Sequence, residues 1–386
     1  MIKIFKISGI FPVQILNPGI MFLPIILLAY ILPNIYIFLR LGKLFFSRKY
    51  RLYFVLIYLF IAVFFPLVNI LSGGNSGILV VAANYLLAFY LYLTLSLLTF
   101  DLFLLVNRIF KFISSEKLKS AGFKLTGLSV VLLLPCLVVI AGVINFNNIQ
   151  TSTYQIDVPG KSSRIKHLKI AFVADFHLKK GVDSHYVERF AQQIETIQPD
   201  LMIFGGDIVE GNREDESLHS FEKIFRTIHP KYGVYAVFGN HEFYGRQDKG
   251  QFFDRAGMKL LCDSNVVING SFNLLGRYDS HFSRRKNIGE LMKSVNDSFP
   301  VILIDHRPTE LEEVSKTTVD VQLSGHTHNG QLFPVNLILK SMYPLTWGYK
   351  KIGKTNFFVT SGIRLWGPPV RTTGKSEIMV IDVNFE

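Results

Sequence analysis

The chain has 386 residues, room for two domains, with 49% hydrophobic residues, a mean hydropathy of +0.31 and a formal charge of +12. Residues 1–150 hold 12 of the 41 basic side chains and two of the 29 acidic ones, Asp101 and Glu116, so the remainder is nearly balanced at 29 and 27. The positive excess lies among apolar segments, where basic loops set membrane topology, which argues against a nucleic-acid partner. Cys136 in an apolar run and Cys262 in the polar half give no disulfide framework.

Residues 7–39, 52–100 and 125–156 carry no charged side chain. A helical span needs roughly 20 apolar residues. The runs predict four spans, near 19–39, 52–71, 78–100 and 125–145, with Ser72-Gly73-Gly74-Asn75-Ser76-Gly77 as the turn between the middle two. Pro24, Pro33, Pro66 and Pro135 fall within spans, where neighbouring helices can satisfy the freed backbone groups. The N-terminus, with Lys3 and Lys6, resembles a signal peptide. Its long apolar run lacks a small-residue cleavage site and is read as a retained helix. The segments 40–51 and 107–124 carry ten basic residues and fall on one side of a four-span arrangement. That side is expected to be cytoplasmic, outweighing Lys3 and Lys6, so the polar half is expected to be extracytoplasmic. Asp101, at the end of its span, reads as an interfacial residue.

From Tyr154 onward short apolar runs alternate with amphipathic stretches, the pattern of an α/β core. Strands are predicted at 169–173, 201–204, 234–238, 301–304, 319–323, 357–360 and 378–381, with shorter ones around 259–261, 266–268 and 272–275. The segment 154–158 is a further strand candidate, and about 24 residues separate the last span from the first core strand. Helices are predicted over 184–197, capped by Asp183 or Ser184, over 216–228 and around 286–295.

Five of these strands end in a candidate ligand: Asp175-Phe176-His177, Gly206-Asp207, Gly239-Asn240-His241-Glu242, Asp305-His306 and Gly325-His326-Thr327-His328. Strand ends are where α/β sheets place their sites, and the glycines let the backbone turn tightly. All ten histidines follow residue 166. Asp, Asn and His without Cys suit manganese, iron, zinc or magnesium. A carboxylate able to bridge two ions is what a two-metal hydrolytic centre needs.

These five motifs, in this order, resemble the calcineurin-like metallophosphoesterases over roughly residues 165–385. The tail from Thr360 to Ile378, with Gly367-Pro368-Pro369, is similar to the branch that carries N-terminal transmembrane helices. The resemblance implies an α/β four-layer (αββα) sandwich at 151–386 behind a four-helix transmembrane region at 1–150. It implies two divalent metal ions. Asp175, His177, Asp207 and His328 would hold the first; Asp207, Asn240, His306 and His326 would hold the second, with Asp207 bridging. His241 would stand near the substrate and protonate the leaving oxygen or stabilise the phosphoryl charge. The implied reaction is phosphoester hydrolysis by a metal-bridging hydroxide.

Closeness to the bilayer makes a lipid-linked phosphodiester or pyrophosphate the expected substrate. A phosphomonoesterase acting on soluble nucleotides or phosphoproteins is one alternative, and a non-catalytic metal-binding membrane sensor is another. His167, His185, His219, His229 and His281 lie outside the motifs and read as structural or exposed. Arg277 reads as a solvated loop residue ahead of a phosphate contact, with Arg364 and Arg371 equally open. Trp347 and Trp366 could line a groove, pack, or touch a membrane interface.

Overall fold

A computed structural model describes residues 30–72, 77–210, 216–243 and 250–386. The chain packs as two compact units, one of 1–67 with 89–136 and one of 68–88 with 137–386. Among the described residues three helices are long and apolar enough to cross a membrane: Arg48–Ser72, Ile78–Phe110 and Ala121–Asn147. They contain the expected spans at 52–71, 78–100 and 125–145, and each runs beyond its expected C-terminal bound. The first expected span, 19–39, falls largely on residues outside those described. Its visible part is the helix Leu32–Leu44, which continues past residue 39 through Arg40 and Lys43. Arg40 is tolerated there because its Nε donates to Asp101 Oδ2 at 2.7 Å, beside a Tyr36 hydroxyl that donates to the same oxygen at 2.8 Å. Pro66 and Pro135 both sit inside continuous helices.

The second unit holds two six-stranded sheets. In chain order the strands are β1 (Ile149–Val158), β2 (His167–Val173), β3 (Leu201–Phe204), β4 (Val234–Ala236), β5 (Lys259–Leu260), β6 (Ser264–Ile268), β7 (Phe272–Gly276), β8 (Val301–Ile304), β9 (Val321–Ser324), β10 (Gly348–Ile352), β11 (Thr355–Val359) and β12 (Ser376–Phe385). One sheet has the order β1-β12-β2-β3-β4-β5 and the other β10-β11-β9-β8-β7-β6. Both are mixed. β2, β3, β4 and β5 run parallel, as do β7, β8, β9 and β11, while β12 is antiparallel to β2, and β6 and β10 are antiparallel to their neighbours.

Alternation along each strand explains the packing. Ile170, Phe172, Leu201 and Ile203 face Leu274, Ile302, Ile304, Leu323 and Phe358 of the other sheet. Ala171, Val173, Met202 and Phe204 face outward and are covered by Tyr186, Val187, Phe190, Phe221 and Phe225 from the helices Ser184–Ile197 and Glu216–Phe225. On the second sheet Leu275, Val301, Leu303 and Phe357 are covered by Leu291, Leu311 and Val314. With both faces buried, central strands read as unbroken apolar runs.

β1 corrects the expected spacer. It begins at Ile149, with only Asn148 between it and the end of the apolar helix at Asn147, and pairs in parallel with β12 along its whole length. No 24-residue spacer separates the span from the sheet. The helices Gly250–Arg255, Leu311–Ser315 and Val335–Met342 and strand β10 were not anticipated. Arg277 is also corrected. It is fully buried, and its Nη1 donates to Asp305 Oδ2 at 3.0 Å and to Glu310 Oε2 at 2.7 Å. Arg371 is buried too, donating to the carbonyls of Ser361, Gly362 and Arg364. The Arg364 guanidinium lies over the Tyr186 and Phe146 rings, and Trp347 Nε1 donates to Glu377 Oε2 at 2.9 Å.

Candidate metal centre

The C-terminal ends of β2, β3, β4, β8 and β9 converge, and each delivers part of one cluster. Asp175, His177 and His328 form one potential ligand group; Asp207, His306 and His326 form another; His177, Asp207 and His241 join them. Asp175, His177, Asp207, Asn240, His306 and His328 are buried, whereas His241 and His326 are half-exposed. The Nε2 atoms of His177 and His328 face each other at 3.2 Å, and His328 Nε2 lies 3.6 Å from Asp175 Oδ1. His306 Nε2 lies 3.1 Å from Asp207 Oδ2, and His241 Nε2 lies 4.0 Å from the same oxygen. The structure thus brings every histidine and aspartate expected at the site to one place.

Backbone geometry makes this possible. Asp175, His177, Asp207, His326 and His328 all have φ between 49° and 72°, the left-handed region that side-chain-bearing residues rarely occupy. Gly206 has φ 96°, and a Cβ there would lie 2.8 Å from His306 Nδ1. A Cβ at Gly325 would lie 2.7 Å from Asp175 Oδ2, and one at Gly239 would collide with Asp207. The glycines give the ligand side chains their space.

Two acids that sequence reasoning missed organise the cluster. Glu242 accepts the backbone N–H groups of Asp207, Ile208, Val209 and Gly239 at 2.7–3.0 Å. Glu210 Oε1 lies 2.8 Å from His177 Nδ1 and 3.3 Å from His241 Nδ1, and Lys179 holds its other oxygen at 2.7 Å. A carboxylate behind an imidazole fixes its orientation and leaves the far nitrogen free to ligate. For His306 that part is played by a carbonyl: Nδ1 donates to Gly205 O at 2.8 Å. Glu242 lies inside a motif already singled out, and Glu210 three residues beyond Asp207, but nothing in either spacing announces a role.

The charged neighbours of His306 are absorbed elsewhere. Asp305 is held by Arg277 and Arg285, and Arg307 Nε donates to Asp279 Oδ2 at 2.7 Å. His281, expected outside the site, lies 2.8 Å from both Asp279 and Arg307. Of the other four histidines, His185 and His219 pair with Glu188 and Glu222 on their helices, and His167 lies 3.3 Å from Asp382.

The electrostatics suit cations. Burial pushes Asp175 up to about 6. Burial also opposes the charged form of Asp207, yet His306, His177 and His241 hold its carboxyl well below the ordinary range. Burial and the His306 charge push His326 down to about 3, and burial with the neighbouring His177 keeps His328 far below its usual value. Their imidazoles are therefore neutral, with lone pairs available, near pH 7. His306 Nε2 is buried without a well-formed hydrogen bond. Clustered carboxylates, the neutral imidazoles of His326 and His328 and a glycine-lined space with no room for another side chain fit divalent metal ions.

Residues 168–330 match the family described as calcineurin-like phosphoesterase. An uncharacterized metallophosphoesterase of Aquifex aeolicus is 31% identical over 227 residues, 56% of this chain and 85% of that protein. One of Helicobacter pylori is 33% identical over 220 residues, 55% of this chain but only 59% of that relative's length. A transmembrane protein with metallophosphoesterase domain from Danio rerio is 24% identical over 297 residues, covering 71% of this chain and 67% of that protein. The chain belongs to the calcineurin-like metallophosphoesterase family.

Proposed function

We propose that the protein is a membrane-anchored, two-metal phosphoester hydrolase, with residues 1–150 serving as a four-span anchor and 151–386 as a four-layer catalytic domain. The observation that carries the reading is the meeting of five strand ends in overlapping ligand groups built from buried side chains. In this reading Asp175, His177, Asp207 and His328 hold one ion, and Asp207, Asn240, His306 and His326 hold the other. Two such ions lower the pKa of a coordinated water to about 7 and neutralise charge on a phosphoryl group.

The chain's own residues supply the rest. Asp207 stands between the two ligand groups and fixes their separation, because its carboxylate lies within reach of His306 and His241 and accepts the His241 backbone N–H at 2.8 Å. Glu210 beside His241 Nδ1 leaves Nε2 as the atom that gives a proton to the departing oxygen. Burial favours neutral His241, but Glu210 and Asp207 raise its pKa above the ordinary value, which favours the proton-bearing form a donor needs. Trp366, 6.5 Å from the His241 ring and largely exposed, offers an apolar edge for the leaving group.

The favoured substrate is a lipid-linked phosphodiester or pyrophosphate, because only Asn148 separates the sheet from an apolar helix. The basic loops support an extracytoplasmic catalytic domain. The test uses the full chain in detergent micelles. Metal stoichiometry is measured, and hydrolysis of generic monoesters, diesters and lipid-linked esters is compared with Asp207→Ala and His241→Ala. The expected result is two metals per chain, loss of metal and activity together in Asp207→Ala, and retained metal with slow turnover in His241→Ala. Full activity in both variants sinks the mechanism. Turnover of soluble esters with no turnover of lipid-linked ones replaces the substrate class.

A further inference from the structure

The segment that follows the His326–His328 loop forms a helix, Val335–Met342, with no buried residue. Phe333, Val335, Leu337, Ile338 and Met342 are exposed, Ile338 at 61% and Met342 at 65%. Val335, Ile338 and Met342 recur at helical spacing, so they form one stripe. A surface helix ordinarily turns that stripe toward the core; here it faces outward. An exposed apolar patch of this kind marks an interaction surface.

Hydrogen bonds locate the stripe relative to the last apolar helix. Arg371 N donates to Gly142 O at 3.0 Å, and Asn145 Nδ2 donates to the carbonyls of Arg371 and Gly374. One residue on, Thr372 N donates to Gln331 O at 2.9 Å, and Phe333 N donates to Thr372 Oγ1 at 2.9 Å. The contact is backbone-close: a Cβ at Gly142 would lie 2.6 Å from Val370 Cγ1 and 3.1 Å from Thr372 Cγ2. A hydrocarbon core of about 30 Å takes roughly 20 helical residues, and counting from Leu125, just after Lys124, reaches Ile144. Gly142 therefore stands where the hydrocarbon ends, and Phe333 lies one side chain away from it.

Charge points the same way. Residues 321–376 contain no Asp or Glu, and Lys340 on the helix, Lys350 and Lys351 on β10 and Lys354 just after it are exposed. Juxtamembrane cations are attracted to anionic headgroups. The metal centre adjoins the stripe at both ends: the helix begins seven residues after His328, and Tyr343, just beyond it, has its ring 6.1 Å from that of His326.

We propose that the helix Val335–Met342, led by Phe333, lies in the headgroup region of the bilayer that the chain's own helices cross, and holds the metal centre beside that surface. The occupant of the stripe is lipid. This inference takes the membrane anchoring above as given and does not depend on the substrate class.

Single spin labels test it on the full chain with Cys136 and Cys262 replaced by Ala, reconstituted in vesicles of phosphatidylethanolamine and phosphatidylglycerol. Labels go at Ile338→Cys and at Met342→Cys, both exposed sites, with Glu195→Cys as an exposed reference on the helix Ser184–Ile197. Collision with a water-soluble nickel chelate and with oxygen is measured for each. Labels at 338 and 342 are expected to be shielded from the chelate at least about fivefold relative to 195, with oxygen collisions enhanced. Equal chelate accessibility at all three positions overturns the proposal. So does shielding that follows protein concentration in micelles, which assigns the stripe to a second copy. Hydrolysis in the same vesicles separates the two readings. A shielded helix without turnover of lipid-linked ester removes only the substrate class. Turnover without shielding removes only this inference.

Discussion

Glu242→Gln is the most exacting perturbation of the site, because it leaves every candidate ligand side chain in place and alters only what holds the Asp207 backbone. The Glu242 carboxylate accepts Asp207 N at 3.0 Å, Ile208 N at 2.7 Å, Val209 N at 2.9 Å and Gly239 N at 2.7 Å, two at each oxygen. A glutamine keeps one oxygen and replaces the other with an NH2 group. Whichever way that amide turns, two N–H groups lose their acceptor and face a donor. A buried donor left unsatisfied costs about 1–3 kcal/mol, so the pair costs about 2–6 kcal/mol. Whole domains are stable by about 5–15 kcal/mol. The lost bonds also release Asp207, held at φ 52° after Gly206 at φ 96°. The expected outcome is a lowered unfolding midpoint and reduced metal content, read by thermal unfolding and elemental analysis of the full chain in micelles beside Glu195→Gln, an exposed control. A Glu242→Gln protein that unfolds within about 0.5 kcal/mol of the parent, the usual range for surface changes, and keeps its metal would refute the reasoning.

Three further predictions follow from the same geometry. His241→Ala should lower kcat by about 10²–10⁴-fold, with metal stoichiometry unchanged, since neither proposed ligand set includes His241; a rate within threefold or so of the parent counts against a proton-donor role. Chelator treatment should abolish hydrolysis and lower the unfolding midpoint, with both restored by adding back Mn, Fe, Zn or Mg, because a ligand that binds only the folded state stabilises it; an unchanged midpoint would show that no resident metal was removed. Arg277→Ala should destabilise by about 3 kcal/mol, the lower end for breaking a buried pair, because Arg285 remains on Asp305 at 2.7 Å; retained stability would mean that Arg285 alone satisfies Asp305.

How much of this was legible in the sequence follows from where each residue finds its partner. β2, β3 and β8 were readable because both of their faces are buried, so their apolar runs are unbroken. The candidate ligands were readable because they stand at the ends of such runs, Asp207, Asn240 and His326 directly after a glycine. β1 was only partly readable. Its sequence, Ile149-Gln150-Thr151-Ser152-Thr153-Tyr154-Gln155-Ile156-Asp157-Val158, opens with four polar residues in a row after Ile149, and its partner β12 is more than 200 residues away. Ser152, for example, is bonded to Glu377 across that pairing. Arg277 looked solvated for a similar reason: Asp305 and Glu310, which make its burial affordable, lie 28 and 33 residues further along. Glu210 and Glu242 were invisible in their roles because they act on groups brought near only by folding.

The ligand loops are also coupled to one another. Asp175 N donates to Gly206 O, His177 N to Asp207 O, and Gly325 N to His306 O, each at 2.9–3.0 Å. His326 N reaches the Asp175 carboxylate, and His241 N reaches that of Asp207. Five left-handed residues at about 1–2 kcal/mol each amount to roughly 5–10 kcal/mol, comparable with the stability of a whole domain. A fold with no use for these side chains has no reason to keep such a strained set at three strand ends, so the strain argues for metal binding. It does not separate an enzyme from a sensor, since both need the metal. Accessibility does. A structural metal site closes its coordination, whereas a catalytic one keeps a position open. Here His241 and His326 stay half-exposed among otherwise buried ligands, and Glu210 orients the His241 ring toward Asp207. A sensor needs neither that open side nor a histidine poised beside it, and this is the physical reason the catalytic reading is preferred.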